Sequence, residues 1–369
     1  MLFSGCAAKS SDKTDKDAQS PESTEAAETS ESADENLSKP DIIRSIDVAA
    51  DADSLSYWTE DSETAQALID YVKSVTDEES EDFIPAERRI AVFDMDGTFM
   101  GERTPYYTSY VLYLHRMLDD PDYTPSVEER AFAESFRDAA AAGKVTSEMS
   151  RQQQESLANA FAGLTDEEYY DYVKKVLETD VPGLTNVKYQ ELFYLPMVEV
   201  MSYLNANDFT VYVVSAAERR QVRAFVLEVL PIETNHIIGT DDVIEADHQG
   251  DEEGLDYTYV VEDELIYTGE VEEETGKTNK VTAIATEIGM QPVLAFGNSN
   301  GDASMLNYTL DDNPYKSMSF VVLCDDTDRE NGNPDKAASM QESAEKYGWT
   351  TISMKNDFAT IYGDDVVKE

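Results

Sequence analysis

Cysteine is nearly absent from this sequence, which has only Cys6 and Cys324. The two residues lie in such different contexts that a disulfide framework is excluded as the basis of the fold. Long apolar runs are missing as well, and none approaches the length that crosses a bilayer as a helix. Any attachment to a membrane is therefore expected at a terminus.

Positive charge is scarce, because the chain has 28 Lys+Arg against 77 Asp+Glu and a formal net charge of -49. A surface this acidic repels polyanions, which excludes nucleic acid as a partner and binding to anionic lipid by charge. It also mildly favours a monomer. An anionic substrate would need locally concentrated positive charge, from a metal ion and a few basic side chains.

Residues 1–40 are expected to lie outside the folded part of the protein. The segment LFSGC at residues 2–6 is similar to the end of a bacterial lipoprotein signal peptide, whose Cys is lipidated. From Ala7 to about Pro40 large apolar residues are almost absent, so this stretch cannot bury enough surface to fold. We expect a disordered acidic tether that anchors an extracytoplasmic protein to the bacterial cell membrane through Cys6. If the similarity is accidental, the protein is cytoplasmic.

Apolar runs alternate with amphipathic segments in residues 41–102 and 208–369, which predicts one α/β core. Buried strands are expected at residues 90–93 and 209–214, and again in PVLAF, FVVLC and TTISM. Residues 103–207 are nearly all helical in pattern, which predicts an inserted helical module. The alternation in TYVVEDELIYTGEVEE, at about 256–275, predicts a small hairpin.

The segment AVFDMDGTFM places Asp94 and Asp96 at the end of a predicted buried strand. Two carboxylates this close disfavour joint ionisation unless something positive compensates, and a divalent cation is the natural compensation. Their oxygens suit Mg²⁺, and Gly97 allows a tight turn, so that a backbone carbonyl can join the coordination. A calcium-binding EF-hand loop is excluded, because its sixth and twelfth positions would be Phe99 and Pro105.

With these motifs the sequence resembles the haloacid dehalogenase superfamily, in which four motifs follow the strands of a doubly wound, Rossmann-like parallel sheet. The counterparts are DMDGT, VYVVSAA, a lysine before a helix in TGKTNKVTAI, and GNSNGD. The resemblance makes Asp94 the nucleophile that forms an aspartyl-phosphate. It makes Asp96 the general acid and then the general base. Ser215, at the end of the second motif, would hydrogen-bond the transferring phosphoryl group.

The third and fourth motifs leave choices open. Lys280 is preferred as the motif lysine because of the spacing to the residues that follow it, and Lys277 is the substitute. In the fourth motif Asn298 replaces a carboxylate and Asp302 supplies the other one. The resemblance therefore implies Mg²⁺ held by Asp94, Asp96 and Asp302. Asn298 could contribute only a neutral amide oxygen.

The helical segment lies between the first two motifs, where relatives carry a cap that closes over the site. In the phosphoserine phosphatase branch a glutamate after the first motif meets the substrate's ammonium group. Glu102 is the nearest match, or else a solvated hinge residue. Thr98 would orient Asp96 by a hydrogen bond or simply tighten the turn. A tyrosine cluster could hold a quaternary ammonium, as in a phosphorylcholine phosphatase, or could be packing. Its members are Tyr106, Tyr107, Tyr110 and Tyr113.

The sequence thus predicts a Mg²⁺-dependent phosphatase that hydrolyses a small, amino- or ammonium-bearing phosphomonoester through an aspartyl-phosphate. Two alternatives stay open. One is a phosphotransferase, such as a sugar-phosphate mutase, on the same scaffold. The other is a non-catalytic lipoprotein that binds ligands on a retained fold.

Overall fold

The computed structural model describes residues 37–102, 107–227 and 229–369. Cys6, most of the predicted tether and Tyr106 lie outside these described residues. Among the helices that are described, none has the length and apolar character needed to span a bilayer.

A seven-stranded sheet forms the centre of the protein, in the order β4-β3-β2-β1-β5-β6-β7. All neighbouring strands are parallel except β3 and β4. The strands are β1 (Ile90–Phe93), β2 (Thr210–Glu218), β3 (Ile237–Ala246), β4 (Leu265–Glu273), β5 (Leu294–Gly297), β6 (Met318–Leu323) and β7 (Thr350–Ser353). The predicted α/β fold with a doubly wound, mostly parallel sheet is confirmed.

Strand β1 lies at the middle of this sheet, between β2 and β5. All four of its residues are buried, as are all four of β5, which is typical of parallel strands covered on both faces. Phe93, Phe296 and Phe320 are paired across β1, β5 and β6 and stack with ring centroids 4.2 and 5.0 Å apart. This stack holds β1 and β5 side by side. The first and the fourth predicted motifs begin at the ends of these two strands.

Helices surround the sheet and fill the insertion between β1 and β2. They are α1 (Lys39–Arg44), α2 (Glu63–Thr76), α3 (Thr108–Leu114), α4 (Val127–Ala141), α5 (Ser147–Ala160), α6 (Asp166–Leu177), α7 (Leu195–Ala206), α8 (Arg219–Val226), α9 (Thr278–Ala283), α10 (Ala303–Leu310), α11 (Pro334–Tyr347) and α12 (Met354–Asp357). Helices α4 and α6 begin with capping boxes, in which Ser126 pairs with Glu129 and Thr165 with Glu168. These boxes satisfy backbone N–H groups that the helix itself leaves free.

Helices α3 to α6 form what we call the helical insertion. Helix α7, which follows it, packs against β2 and against the segment before β1. The Trp58 indole donates to the carbonyl of Pro196 at 3.1 Å, and the backbone N–H of Val48 donates to the Ser202 hydroxyl at 2.9 Å. The boundary of a separate domain at residue 207 stays a prediction.

The structure differs from the sequence expectation at two places. Helix α1 begins at Lys39, inside the predicted tether, because Ser38 caps it and Pro40 suits a first helical turn. No hairpin forms within residues 256–275. Strand β4 pairs instead with β3, while the acidic stretch before β4 forms turns that leave Val261 exposed.

Strand β4 lies at one edge of the sheet, where the end of α5 approaches it closely. The backbone N–H of Gly163 donates to the carbonyl of Tyr267 at 2.7 Å, and the N–H of Tyr267 donates to Leu164 at 3.3 Å. Gly269 allows this approach, because a Cβ there would lie 2.8 Å from the Cβ of Ala162. The helical insertion is thereby joined to the sheet edge.

Candidate active site

The predicted motif residues meet at the carboxyl ends of β1, β2 and β5. Asp94 follows β1 directly, Ser215 lies within β2, and Asn298 follows β5. The chain passes from β1 to β2 and β3 on one side and later to β5 on the other. Such a reversal of strand order opens a crevice at the carboxyl edge of a parallel sheet.

Lys280, on α9, lies at the centre of the site and is 2 % exposed. Its ammonium donates to Asp94 Oδ1 at 2.6 Å, to Asp302 Oδ1 at 2.8 Å and to the carbonyl of Val214 at 2.7 Å. Burial lowers the pKa of Lys280, but Asp302 and Asp94 outweigh it and raise that pKa above its usual value. Lys277, the other predicted lysine, precedes α9 and is exposed.

Asp94 is held on both of its carboxylate oxygens. Lys280 binds Oδ1, and the Thr98 hydroxyl donates to Oδ2 at 3.1 Å. The expected hydrogen bond from Thr98 to Asp96 is therefore replaced by one to Asp94, because the turn at Gly97 brings the hydroxyl back to the first carboxylate. Burial and then Asp302 raise the pKa of Asp94 to about 6, although Lys280 lowers it.

Asp96 has no such partners among the described residues. Its Oδ1 atom is buried without a hydrogen bond. Burial raises the pKa of Asp96 well above its usual value, and the charges of Asp94 and Glu102 raise it further. A buried carboxylate oxygen without a partner is costly, so the arrangement leaves a position open for a proton or a cation.

Asp302 and Asn298 close the opposite side of the site. The second oxygen of Asp302 accepts from the backbone N–H of Asn298 and from the N–H and hydroxyl of Ser299, each at 3.0 Å. Burial alone raises the pKa of Asp302, but Lys280 and these hydrogen bonds lower it below its usual value. A Cβ on Gly97 would lie 1.9 Å from the amide nitrogen of Asn298, so only glycine fits there.

These residues line one cavity of about 870 Å³. Ser215 is 1 % exposed, and its hydroxyl accepts from the backbone N–H of Ala217 at 3.1 Å. The helical insertion supplies part of the cavity wall, including Tyr107 and Tyr110. The three carboxylates, the lysine and the serine therefore face a space large enough for a small molecule.

The sequence profile of the haloacid dehalogenase-like hydrolases matches residues 91–307, which include all of these site residues. The chain belongs to this family. Its predicted recognition as a haloacid dehalogenase-type hydrolase, and hence as an enzyme, is confirmed. Membership of this family supports an activity of the phosphatase type.

Solved structures similar to this haloacid dehalogenase-like chain have low sequence identity. A protein of unknown function from Anaerococcus prevotii is 14% identical, with 78% of this chain and 90% of that chain covered and a TM-score of 0.47. A cytosolic 5'-nucleotidase bound to cytidine is 13% identical, with 79% of this chain and 85% of that chain covered and a TM-score of 0.44. A phosphoserine phosphohydrolase-like protein from Francisella tularensis is 15% identical, with 64% of this chain and 87% of that chain covered and a TM-score of 0.35. No curated protein matches the sequence.

Glu102 lies before the helical insertion and lines the cavity of this hydrolase. Its carboxylate accepts from Lys336 at 2.6 Å and from the Tyr107 hydroxyl at 3.1 Å. The partner of Glu102 within the protein is therefore a lysine of α11. Sequence reasoning missed this lysine, because the two residues are separated by 234 positions and nothing local marks the contact.

The predicted tyrosine cluster divides in the structure. Tyr113 is fully buried, packs on Phe136 with ring centroids 5.6 Å apart, and serves the core of the insertion. Tyr107 and Tyr110 make an edge contact at 5.1 Å and line the cavity. Tyr106 lies outside the described residues.

A second group of oxygen and nitrogen atoms lies away from the cavity. His248 Nδ1 is 2.9 Å from Asp247 and 3.0 Å from Asp263, close enough for one metal ion to be shared. The Tyr257 hydroxyl and the backbone N–H of Val260 already donate to Asp263. These hydrogen bonds explain why the group is there, because they close the turns before β4.

Proposed function

We propose that this hydrolase cleaves a small phosphomonoester with Mg²⁺ through an aspartyl-phosphate on Asp94. The observation that carries the proposal is the position of Asp94, at the end of β1 with Lys280 on one oxygen and Thr98 on the other. This arrangement orients a carboxylate toward a cavity that also contains Ser215 and the unpartnered carboxylate of Asp96.

In the proposed first step, an oxygen of Asp94 attacks phosphorus and the bond from phosphorus to the alcohol oxygen breaks. Asp96 gives its proton to the leaving alkoxide and becomes a carboxylate. Lys280 and Ser215 bind the phosphoryl oxygens. In the second step Asp96 takes a proton from water, the water oxygen attacks phosphorus, and Asp94 leaves as a carboxylate with release of phosphate.

The donor set fits Mg²⁺. Asp94, Asp96 and Asp302 offer carboxylate oxygens, Asn298 offers an amide oxygen, and Asp96 Oδ1 has no partner among the described residues. When bound, Mg²⁺ would neutralise charge on the phosphate ester. Much of Asp302 is already engaged by Lys280, Asn298 and Ser299, so a contact through water is compatible with the same site.

The helical insertion would act as a cap that limits the size of the alcohol part and excludes water. The amino- or ammonium-bearing esters suggested by the phosphoserine and phosphorylcholine phosphatase branches remain candidate substrates, with Glu102 as their partner if Lys336 releases it. The proposal extends to an extracytoplasmic monomer that is attached to the membrane through lipid on Cys6. Radiolabelled palmitate, incorporated in the full chain but not in Cys6→Ala, tests that attachment.

Hydrolysis of p-nitrophenyl phosphate, with and without Mg²⁺, tests the activity. We expect turnover that EDTA abolishes and Mg²⁺ restores. Asp94→Asn should lose about 10⁴-fold or more in kcat, because the nucleophile is gone. Turnover that does not change in Asp94→Asn would contradict the mechanism. Release of the phosphoryl group to a second alcohol instead of water would identify the phosphotransferase alternative, and absence of turnover would favour the non-catalytic one.

A further inference from the structure

We propose that Gln153 and Gln221 form a specificity subsite for a polyhydroxylated alcohol, so that the substrates are sugar or polyol phosphates. The inference rests on the proposed phosphatase function and names its substrate class. It depends on two glutamines that the mechanism does not use. Sequence patterns did not single out either residue.

Both glutamines are buried and yet lack partners. Gln153 is 2 % exposed and Gln221 is 0 % exposed. Within the part of the chain that the structure describes, the amide nitrogen of Gln153 and both polar amide atoms of Gln221 have no hydrogen bond. Buried polar groups are almost always paired, and each unpaired one destabilises the protein. Three such atoms therefore have unused hydrogen-bonding capacity, which a ligand that reaches them on binding would satisfy.

The two side chains line the cavity that contains Asp94 and Ser215. Gln153 comes from α5 of the helical insertion, whereas Gln221 comes from α8, directly after β2. A substrate whose phosphate lies at Asp94 extends its alcohol part into the remaining space of this cavity. The two amides are thus placed to contact the alcohol part rather than the phosphate.

The position of Gln221 is fixed by its neighbour Arg220. The Arg220 guanidinium pairs with Glu218 and lies 3.0 Å from Asp242. It also packs over the rings of Tyr169 and Tyr267, at 4.1 and 3.5 Å from their centroids. These contacts hold the first turn of α8, so a ligand does not have to order it on binding.

The chemistry of the amides selects the ligand. Gln221 needs both a donor and an acceptor from its partner, and Gln153 needs an acceptor. A hydroxyl group supplies both a donor and an acceptor. A quaternary ammonium supplies neither donor nor acceptor. A site with buried amides rejects a ligand that leaves them unpaired.

The test compares kcat/KM of the full chain with Mg²⁺ on glucose 6-phosphate, sorbitol 6-phosphate, phosphoethanolamine and phosphocholine. We expect the hydroxyl-rich esters to exceed phosphocholine by about 100-fold or more. Gln221→Leu and Gln153→Leu should each reduce that preference by about 10-fold, mainly through KM. Gln152→Leu is the matched control, because Gln152 is exposed on the same helix and should keep the wild-type preference.

The outcomes separate this inference from the proposed function. If Mg²⁺ supports turnover of p-nitrophenyl phosphate but phosphocholine or phosphoethanolamine equals the sugar phosphates, the subsite is refuted and the phosphatase stands. If both leucine variants lose the same factor on every ester, the glutamines serve structure and the subsite is again refuted. If no ester is hydrolysed with Mg²⁺, the proposed phosphatase function itself is refuted.

Discussion

Two buried cations of this protein share one arrangement and differ in what surrounds it. Lys280 lies between Asp94 and Asp302, at 2.6 and 2.8 Å. Arg220 pairs with Glu218 and with Asp242, the latter at 3.0 Å. Each cation is almost completely buried, at 2 % and 1 % exposure. Both clusters line the same cavity, yet only the first lies where the family motifs meet.

The difference lies in the groups beyond the ion pairs. Beside Lys280 a third carboxylate, Asp96, has a buried oxygen without a partner among the described residues, so negative charge is in excess. Around Arg220 the remaining surface is aromatic, and the Tyr169 hydroxyl donates to Glu218 at 2.6 Å. One guanidinium nitrogen of Arg220 also lacks a hydrogen bond among the described residues, but both carboxylates of that cluster have partners within the protein. For the Lys280 cluster, with its additional carboxylate, we propose a cation from outside. The cluster with the proposed reactivity is thus the one whose negative charge is not fully balanced within the protein.

The largest expected effect comes from removing Lys280, the cation of the first cluster. Lys280→Met should lower kcat by about 10³-fold or more, because the variant loses the charge that holds Asp94 and that, in the proposed mechanism, binds the phosphoryl group. Initial rates on p-nitrophenyl phosphate measure this loss. Lys277→Met is the matched control, since Lys277 is exposed and makes none of these contacts. A larger loss of kcat in Lys277→Met than in Lys280→Met would show that Lys277 is the motif lysine.

Breaking the second cluster should mainly affect stability. Arg220→Met leaves the buried Glu218 and Asp242 without their cation, which should lower the free energy of unfolding by about 3–5 kcal/mol. Urea denaturation measures it, and the gap to the wild type should persist in Mg²⁺. Adding Glu218→Gln and Asp242→Asn removes the stranded charges and should recover most of the loss. A stability loss that remains in the triple variant would show that the ring contacts of Arg220 dominate.

The smallest expected effect, for each pH unit, is a pH dependence of stability within the Arg220 cluster. Burial and then Glu218 raise the pKa of Asp242 to about 8, from 3.8. The folded state therefore holds a proton that the unfolded chain loses, and stability falls as the pH rises from about 4 toward 8. At most about 1.4 kcal/mol is lost per pH unit. Unfolding free energies between pH 5.5 and 8.5 should show a flatter slope in Asp242→Asn.

The exposed Asp251 provides the control for this measurement. Asp251→Asn should keep the wild-type slope. Equal slopes in Asp242→Asn and the wild type would mean that Arg220 keeps Asp242 ionised over the whole range.

The sequence predicted the parts of the site that depend on local pattern. Asp94, Ser215 and Asn298 each follow or end an apolar run, and the carboxyl ends of parallel strands meet at one edge. Lys280, in the first turn of α9, could be found because it stands at the start of a predicted helix. Of the two roles expected for Thr98, the hydrogen bond to Asp96 was wrong, because the direction of a side chain within a tight turn depends on backbone angles that the sequence does not show. In this turn Gly97 has a positive φ of 76°.

The remaining contacts depend on residues far apart in the chain. Tyr169 is 49 positions from Glu218, and Tyr267 is 101 positions from Asp166, to which its hydroxyl donates. Gln153 also sits in a helix that is polar along most of its length, so its burial is invisible without the packing of α5 on β4. Such positions are set by how the insertion settles on the core, which local periodicity does not encode.

The contact between α5 and β4 has a further consequence for solubility. An edge strand with free backbone groups can pair with a strand of another chain and start aggregation. Here Gly163 and Leu164 occupy backbone groups of Tyr267 on that edge. The exposed glutamates of β4, Glu270, Glu272 and Glu273, add charge along the same strand. The insertion thus protects the sheet from intermolecular strand addition while it also forms one wall of the cavity.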